Sequence, residues 1–481
     1  MSVSITFCGG ARTVTGSMHL IEAEGERVVI DCGLFQGHRD EADRINSDFT
    51  FNPALIDAAV ISHSHIDHCG NIPNLVKRGF KNKIYATRPS RDLMNLMLLD
   101  SAKIQEEDIR FVNKINARKG GPSASPRGGP SASPRGGPLR APLYTIEDAQ
   151  RALKKIRAVD YHRRFRLTPG INCVFYDSGH ILGSAIPFLE ISLPGRVIKI
   201  AYAVDLGRQD IPLLADPEIL SDVDYLIIES TYGGRLHKPI AEAKEKLAGA
   251  INRTVSRGGK VIIPAFALER TQEVVYYLGE LLRRKMIKAV PIYVDSPLAC
   301  KITDVFLKNS SSLDSEARAL IENKADPFSL SVIRYIRDVE ESKRLNFDKS
   351  PMIIISTSGM CESGRVLHHL RNNIEDEKNT ILVVGYMAKN TLGKRIVEKN
   401  KRVKIFGESF ALKSEVEVIN AFSAHADKND LVEYIAKTKG KMKKVFIVHG
   451  DIDQSEALAF NLRTAGFRPY IPKKMERVEL N

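Results

Sequence analysis

The stretch Ala-Ala-Val-Ile-Ser-His-Ser-His-Ile-Asp-His, residues 58–68, decides how the rest of the chain is interpreted. It begins as an apolar run typical of a buried strand and ends in three of the chain's 12 histidines and one aspartate. Where an extended segment turns into a helix, positions 63 and 65 share one face, and 67 and 68 point to a neighbouring position. The spacing predicts imidazole and carboxylate ligands for two adjacent metal ions. The alternative is a solvated polar loop or a helix N-cap.

Elsewhere, the pattern of strands and helices changes twice along the chain. The first third contains short strand-like runs, among them Ile5–Phe7 and Arg27–Asp31. From about His237, helices alternate with apolar strands such as Lys260–Phe266, which predicts a parallel sheet covered on both faces. The last 80 residues are rich in strands again. We therefore predict one domain interrupted by another, with a core formed by residues 1–232 and 396–481 and an insertion at 233–395.

Composition restricts the class of protein. Hydrophobic residues make up 43% and charged residues 27%, which excludes wholesale disorder and a fibrous architecture. The net charge, 71 − 58 = +13, predicts a polyanionic partner, either a nucleic acid or an anionic membrane surface. No apolar stretch approaches the roughly 20 residues of a membrane span. Six scattered cysteines and the absence of a visible signal peptide predict reduced thiols and a cytoplasmic location.

A repeated octapeptide, GGPSASPR, occupies residues 120–127 and 128–135. Pro, Gly and Ser cannot bury apolar surface, so we predict a flexible, exposed, low-complexity basic loop at 118–140. Seven basic residues and no acidic ones lie between Ile109 and Ile146, which leaves 13 − 7 = +6 for the rest of the chain. The loop either contacts phosphates or is an inert duplication.

Further residues extend the histidine motif to a known family. The sequence H-x-H-x-D-H after a strand resembles the metallo-β-lactamase superfamily. Asp31 in VVIDCG matches the strand-end aspartate that orients the metal loop, His180 in DSGHILGS matches the next ligand, and Asp205 in AVDLGR matches the bridging carboxylate. In the family a glycine usually precedes that aspartate, where this chain has Val204.

The resemblance narrows to the β-CASP nucleases. Glu229 in ESTYGGR resembles their first characteristic acid, His425 in FSAHAD the second motif and His449 in IVHGD the third. It covers nearly the whole chain except the repeat. It implies an α/β protein, a metallo-β-lactamase αββα sandwich with an inserted β-CASP α/β domain. A histidine at the third motif goes with RNA substrates in this family, so His449 favours RNA.

The resemblance implies a zinc-dependent ribonuclease that hydrolyses RNA phosphodiester bonds with a hydroxide activated by two metal ions. Of two Zn²⁺ per chain, one would be held by His63, His65 and His180, the other by Asp67, His68 and His449, with Asp205 bridging. Asp31 would orient the metal loop. His425 would protonate the leaving oxygen, and Glu229 would orient it or relay protons.

Four further positions match family segments that line the cleft between the domains. They are candidate substrate contacts: Arg270, Ser296, Ser358 and Gly359. Each has a structural alternative, namely an ion pair for the arginine, a helix N-cap for Ser296 before Pro297, and a plain turn for Ser358-Gly359. The partners implied are single-stranded RNA, no membrane, and a second copy of the chain in a homodimer.

Two other functions compete with this interpretation. One is a catalytically silent RNA-binding scaffold of a processing complex, although such relatives typically lose metal ligands and all seven candidates are present here. The other is a small-molecule hydrolase, which would lack the roughly 160-residue insertion. No KH or zinc-ribbon segment is visible, which argues against the archaeal cleavage factor and the long-tailed RNase J type. Endonuclease and 5′-to-3′ exonuclease modes share one metal site, so both stay open.

Overall fold

The structure is a computed structural model that describes residues 2–37, 39–119, 140–323, 325–388, 390–438 and 442–481. The GGPSASPR repeat, and with it most of the predicted basic loop 118–140, lies outside the described residues. Within them, no helix is long and apolar enough to cross a membrane.

The described part of the chain contains 22 strands. They are β1 (Val3–Gly9), β2 (Met18–Ala23), β3 (Glu26–Ile30), β4 (Ala58–Val60), β5 (Lys83–Thr87), β6 (Ile156–Val159), β7 (Phe165–Arg166), β8 (Ile171–Asp177), β9 (Ala185–Leu193), β10 (Arg196–Ala203), β11 (Tyr225–Ile228), β12 (Val261–Pro264), β13 (Ile292–Asp295), β14 (Ile333–Tyr335), β15 (Ile353–Ser356), β16 (Thr380–Val383), β17 (Arg402–Ile405), β18 (Glu408–Ala411), β19 (Glu415–Val418), β20 (Lys444–Ile447), β21 (Pro469–Tyr470) and β22 (Arg477–Leu480).

The same residues form 14 α-helices and two short 3₁₀-helices, Pro53–Leu55 and Ser310–Ser312. The α-helices are α1 (Arg39–Ser47), α2 (Ile66–Cys69), α3 (Ile72–Lys77), α4 (Arg88–Lys119), α5 (Ile146–Leu153), α6 (Ile240–Ser256), α7 (Arg270–Arg283), α8 (Pro297–Lys308), α9 (Ser315–Glu322), α10 (Val339–Phe347), α11 (Arg365–Asn373), α12 (Leu392–Val397), α13 (Lys428–Lys437) and α14 (Ile452–Thr464).

Two seven-stranded sheets form the core. The first has the order β22-β1-β2-β3-β4-β5-β6, antiparallel as far as β3 and parallel from β3 to β6. The second has the order β21-β20-β11-β10-β9-β8-β7, parallel from β21 to β10 and antiparallel beyond. Because β20 pairs with β11 and β22 pairs with β1, both strands from the first half of the chain, the chain leaves this core and returns to it.

Apolar side chains fill the space between the two sheets. Phe7 and Ile30 of the first sheet belong to the same buried cluster as Phe175, Ile200 and Phe446 of the second. The outer face of the first sheet is covered by α3, α4 and α5, and that of the second by α13 and α14. Strands that are apolar on both faces require such double cover. The predicted αββα sandwich is therefore confirmed.

The inserted part of the chain forms its own parallel sheet, with the order β14-β13-β15-β12-β16-β19. Helices α6, α7 and α8 cover one face and α11 and α12 the other. The first of these apolar clusters also contains Ile181 and Leu182 from the core. The predicted inserted α/β unit is thus present, and it packs against the loop that follows His180.

The strand partners of residues 402–418 differ from the sequence prediction. That prediction placed 396–481 in the core, but β17 and β18 form a hairpin whose Val403 and Ile405 pack in the inserted unit. β19 then pairs with β16 at the edge of the inserted sheet. A strand-rich sequence does not tell which sheet a strand joins. Ile419, Ala421 and Phe422 still pack in the apolar cluster of the inserted unit, so we propose 423–481 as the second part of the core.

Candidate metal centre and catalytic cleft

The predicted metal loop is set between the two sheets by strand β4 and helix α2. His63 follows the buried end of β4, and His65 occupies the N-cap position of α2. The loop packs against the turn after β3, where Cys32 N–H donates to the His68 carbonyl at 2.8 Å. A Cβ on Gly33 would lie 1.6 Å from the Asp67 carbonyl oxygen, so glycine is required for this approach.

The other predicted ligands reach the loop from the second sheet. His180, Asp205 and His449 follow β8, β10 and β20, whose carboxyl ends lie at the same edge of that sheet. This edge meets the carboxyl end of β4, so residues far apart in the sequence face one another.

Four side chains form the first group of donor atoms: His63, His65, His180 and Asp205. His65 Nδ1 lies 3.1 Å from His63 Nε2 and 3.2 Å from His180 Nε2. Asp205 Oδ2 lies 3.3 Å from His63 Nε2 and 3.4 Å from His180 Nε2.

Asp67, His68 and His449 form the second group. His68 Nε2 and His449 Nε2 face each other at 3.1 Å, and Asp67 Oδ2 lies 3.6 Å from His449 Nε2. Asp205 Oδ2 is also 3.4 Å from His68 Nε2. One carboxylate oxygen therefore stands between the two groups.

Three residues of the site hold a left-handed backbone that non-glycine residues rarely adopt. The φ angle is +56° at Asp31, +58° at Asp205 and +47° at His449. Such conformations cost roughly 1–3 kcal/mol each and persist where the surrounding structure imposes them. Val204, which stands where the family usually has glycine, is buried at the end of β10 and does not prevent this geometry.

Asp31 fixes the orientation of the metal loop from behind. Its carboxylate accepts hydrogen bonds from the Ser62 backbone N–H at 2.7 Å, the Ser62 hydroxyl at 2.8 Å and the Tyr202 hydroxyl at 3.0 Å. It also lies 2.7 Å from His68 Nδ1. A proton on Nδ1 leaves Nε2 of His68 with a free lone pair directed at the second group.

The donor set fits metal ions. Facing ring nitrogens at 3.1–3.2 Å can share at most one proton per pair, and His65 Nδ1 faces two such nitrogens at once. Burial lowers the pKa of His63, and it lowers that of His65 to about 3, which keeps both rings neutral. Neutral imidazoles and carboxylates that converge on one point are the ligands Zn²⁺ prefers.

Glu229 and His425 form a pair beside the first group. Glu229 is fully buried, and its Oε1 accepts the Leu206 N–H. His425 Nδ1 lies 3.1 Å from Glu229 Oε2, and its ring packs on His180 with centroids 4.5 Å apart. Burial disfavours the charged form of His425, but the Glu229 carboxylate outweighs it and raises the pKa of His425 to about 9. Glu229 Oε also lies within 4.8 Å of donor atoms of Asp205 and His449.

The inserted unit touches the site through Glu269. This residue precedes α7 with φ +65°, and its buried carboxyl group accepts the Leu182 N–H, two residues after His180, at 3.2 Å. Burial, with the neighbouring Glu273 adding to it, raises the pKa of Glu269 to about 8. Arg270, the predicted substrate contact beside it, forms an ion pair with Glu273 and is mostly buried.

The other three candidate substrate contacts lie at the carboxyl edge of the inserted sheet. Ser296 caps α8, since its Oγ accepts the Ala299 N–H at 3.2 Å and the Thr357 hydroxyl at 2.9 Å. Ser358 is half-buried, and within the described residues its hydroxyl has no hydrogen-bond partner. Gly359 packs on the Phe266 ring, where a Cβ would come within 3.0 Å.

Several supporting residues were not predicted from the sequence. Ser62 and Tyr202 bind Asp31, Thr231 Oγ1 lies 3.3 Å from His449 Nδ1, and His237 Nε2 lies 3.1 Å from the His425 carbonyl. Ser62 lies beside His63 and Thr231 lies close to Glu229, so their position near predicted site residues could have indicated a supporting role. Glu269 directly precedes Arg270 and Tyr202 lies three positions before Asp205, but their own partners, Leu182 and Asp31, are distant in the sequence.

Fold and site together define the class of protein: a metal-dependent hydrolase built on a metallo-β-lactamase core. Profiles of known families match the chain in the same order. They are the metallo-beta-lactamase superfamily at residues 11–163, the Beta-Casp domain at 271–396, and the Zn-dependent metallo-hydrolase RNA specificity domain at 410–472.

Curated relatives match over nearly the full chain. Ribonuclease TTHA0252 from Thermus thermophilus is 33% identical over 95% of each chain. An RNase J-like protein from Methanocaldococcus jannaschii is 33% identical over 98% of each chain. Transcription termination factor FttA of the same archaeon is 30% identical over 99% of this chain and 72% of its own. The chain therefore belongs to the β-CASP family of the metallo-β-lactamase superfamily, and it is a metal-dependent nuclease.

Among solved structures, a protein of unknown function from Enterococcus faecalis aligns over 100% of both chains with a TM-score of 0.53 and 11% identity. This likeness concerns the fold alone.

Proposed function

We propose that the chain hydrolyses phosphodiester bonds of single-stranded RNA with two Zn²⁺ ions. The observation that carries the proposal is the convergence of seven donor side chains in two groups that share Asp205. His63, His65 and His180 would hold one ion, Asp67, His68 and His449 the other, and Asp205 both. When bound, the ions would polarise a phosphoryl oxygen and lower the pKa of water.

In this proposal His425 is the general acid. Its Nδ1 is engaged by Glu229, so the proton for the leaving oxygen is held on Nε2. Glu229 keeps the imidazolium charged and oriented, and its own second contact, the Leu206 N–H, fixes the carboxylate. Asp31 acts as a positioning residue, because it contacts His68 and the loop but lies behind the donor atoms.

RNA would lie in the cleft between the core and the carboxyl edge of the inserted sheet. Of the four candidate contacts, Ser358 offers a free hydroxyl and Gly359 lies beside it in the same turn. Arg270 is paired with Glu273, and Ser296 caps the start of α8. We therefore propose that these two residues stabilise the edge of the sheet and do not bind RNA. Binding through phosphates would weaken steeply with salt.

The choice of RNA is supported by two findings besides the site. The profile that matches residues 410–472, which include His425 and His449, is described as an RNA specificity domain. Two of the relatives are named a ribonuclease and an RNase J-like protein. The silent-scaffold alternative fits less well, because a scaffold has no need of all seven donors. The homodimer and the cytoplasmic location stay predictions from the sequence.

One experiment tests the function and its mode together. The purified zinc-loaded protein is incubated with RNAs that carry 5′-hydroxyl, 5′-monophosphate or 5′-triphosphate ends, and with a circular RNA. Cleavage of the circle indicates an endonuclease, while dependence on the 5′ group indicates a 5′-to-3′ exonuclease. Failure to cleave any of the four would contradict the proposal in favour of the scaffold.

A further inference from the structure

A basic groove lies on the core, away from the metal centre. It encloses about 630 Å³ between the segment that joins α3 to β5 and the segment that joins α5 to β6. Within the described part of the chain, no acidic side chain lines it, and six of its eight lining residues are cations. The basic groove is defined by Lys81, Lys83, Arg151, Lys154, Lys155 and Arg157.

Most of these cations lack a carboxylate partner. Across the described ranges, only Arg151 has one within 4.0 Å, Glu147 and Asp148 on its own helix. Lys155 Nζ donates to the Lys81 carbonyl at 2.7 Å, which ties the two walls together. Five of the six are exposed, so their charges face the solvent in the concave surface. Uncompensated like charges repel, and a built groove that retains them indicates an anionic ligand.

Favourable contact with helix carboxyl ends does not explain the cluster. That effect acts at the last turn of a helix and accounts for Arg151 in the last turn of α5 and for Lys154 at its C-cap position. Lys81, Lys83 and Arg157 lie outside helices, on the approach to β5 and in β5 and β6. The clustering of cations in the groove therefore needs another explanation.

The groove and the metal centre lie at opposite ends of the first sheet. Lys83 pairs with Ala58 at the start of β4, whereas His63 follows the end of β4. Five residues of extended chain separate these two levels by roughly 16 Å. None of the six cations belongs to the site described above, so removing their charge leaves the catalytic residues untouched.

We propose that the basic groove is a second, non-catalytic binding site for the phosphate backbone of the RNA that the enzyme cleaves. The proposal rests on the proposed function. A positively charged groove that tracks the backbone is one of the elements by which proteins bind single strands without sequence preference. An anionic membrane fits less well, since Val76, the one apolar residue that lines the groove among the described residues, is half-buried. An RNA long enough to reach both ends of the sheet would bind more tightly than a short one.

The test uses the triple variant Lys81→Gln, Lys83→Gln, Lys154→Gln. Dissociation constants are measured for a single-stranded RNA of about 40 nucleotides, several times the 4–16 nucleotides of one single-strand site. Variant and parent both carry His425→Ala so that cleavage does not interfere. Loss of three phosphate contacts should reduce the slope of log K against log salt by about 2 and weaken binding roughly 100-fold at 0.1 M salt. With His425 intact, kcat/KM for an RNA of about 6 nucleotides, within one single-strand site, should not change.

A matched control removes the same charge elsewhere. Lys401, Lys404 and Lys413 are exposed lysines of the inserted unit, and none has an ion-pair partner among the described residues. Their triple Gln variant should bind the long RNA nearly as the parent does. Equal weakening by both triples would overturn the proposal, because net charge alone would then explain the effect. An unchanged dissociation constant in the groove variant would overturn it as well.

Two further outcomes are distinguishable. If the groove variant loses binding to phosphatidylserine vesicles but keeps the affinity for long RNA, the groove serves a membrane and the proposal is wrong. If the protein with His425 intact cleaves neither the short nor the long RNA, the proposed function fails, while the dissociation constants still decide whether the groove binds RNA.

Discussion

The metal centre and the carboxyl edge of the inserted sheet are both polar, yet their side chains differ in what they already bind. At the metal centre, like groups face one another: His63, His65 and His180 direct bare nitrogens at a common point. At the edge, Arg270 is paired with Glu273, and Ser296 caps a helix.

This difference distinguishes side chains that serve the reaction from side chains that stabilise the fold. Buried polar groups are normally satisfied inside the protein, and convergent groups that are not satisfied point to an external ligand. Groups that are satisfied internally stabilise the fold and have little capacity left for substrate. The comparison predicts large catalytic effects at the first region and mainly structural effects at the second.

The largest effect is expected at the metal ligands. His65→Ala or Asp67→Ala should reduce cleavage of a 5′-monophosphorylated single-stranded RNA by about 10³-fold or more, and chelation should do the same. Each variant removes one donor from one group, so zinc content per chain should fall from two. Full activity in the metal-free double variant would contradict the mechanism.

A smaller but still steep loss is expected for His425→Ala, about 10²–10⁴-fold, because only proton donation is removed. Zinc content, measured by elemental analysis, should stay near two per chain. A loss of zinc in this variant would show that His425 is a metal ligand, and the larger effect predicted for the ligands would then apply to it.

The Glu229–His425 pair predicts a pH dependence. A general acid acts in its protonated form, and the pKa of His425 lies at about 9, so kcat/KM should fall as the pH rises through about 9. Glu229→Gln removes the largest of the charges that raise this pKa, while the burial that lowers it stays. The alkaline limb should therefore move to lower pH. If the alkaline limb of the pH profile does not move in this variant, His425 is not the acid whose titration causes it.

The smallest effects are expected for Ser296 and Ser358, two serines at the carboxyl edge of the inserted sheet, and the two variants should differ. Ser296→Ala should lower the free energy of unfolding by about 1 kcal/mol through loss of the helix cap, with KM unchanged. Ser358→Ala should leave stability unchanged and raise KM, since its hydroxyl has no hydrogen-bond partner among the described residues. Denaturant unfolding and steady-state kinetics on both variants measure the two quantities. The reverse pattern would show that a hydroxyl engaged in the fold also binds substrate.

The fold was predictable where local sequence patterns are strong. The run before His63 and the strand at Lys260–Phe266 are apolar and bounded by turns, and the structure has β4 and β12 there. The sequence does not single out β6, β14 or the β17–β18 hairpin. β6 and β14 lie at the edges of their sheets, where packing rather than periodicity stabilises a short strand.

The domain boundary shows that the local pattern of strands and helices does not predict to which domain a strand belongs. The segment 402–418 is strand-rich like the core, and on that pattern the sequence predicts that it belongs to the core. The structure adds it to the inserted unit, because β19 completes hydrogen bonds at the edge of that sheet. Which sheet a strand joins depends on the partner that buries it, and that information lies more than 30 residues away.

The residue types that meet at the site can be identified from the sequence, because His63, His65, Asp67 and His68 form one local motif after one strand. How these side chains are held depends on contacts that form only when the chain folds. His68 and His449 are 381 positions apart, and Tyr202 and Asp31 are 171 apart, yet each pair is in contact.

The same is true of charge. The sequence placed much of the net charge of +13 near the repeat. The basic groove gathers lysines and arginines from two segments about 70 residues apart. Periodicity and spacing act over a few residues, whereas burial, ring orientation and electrostatic repulsion act through space, and only folding brings those distances below a few ångströms.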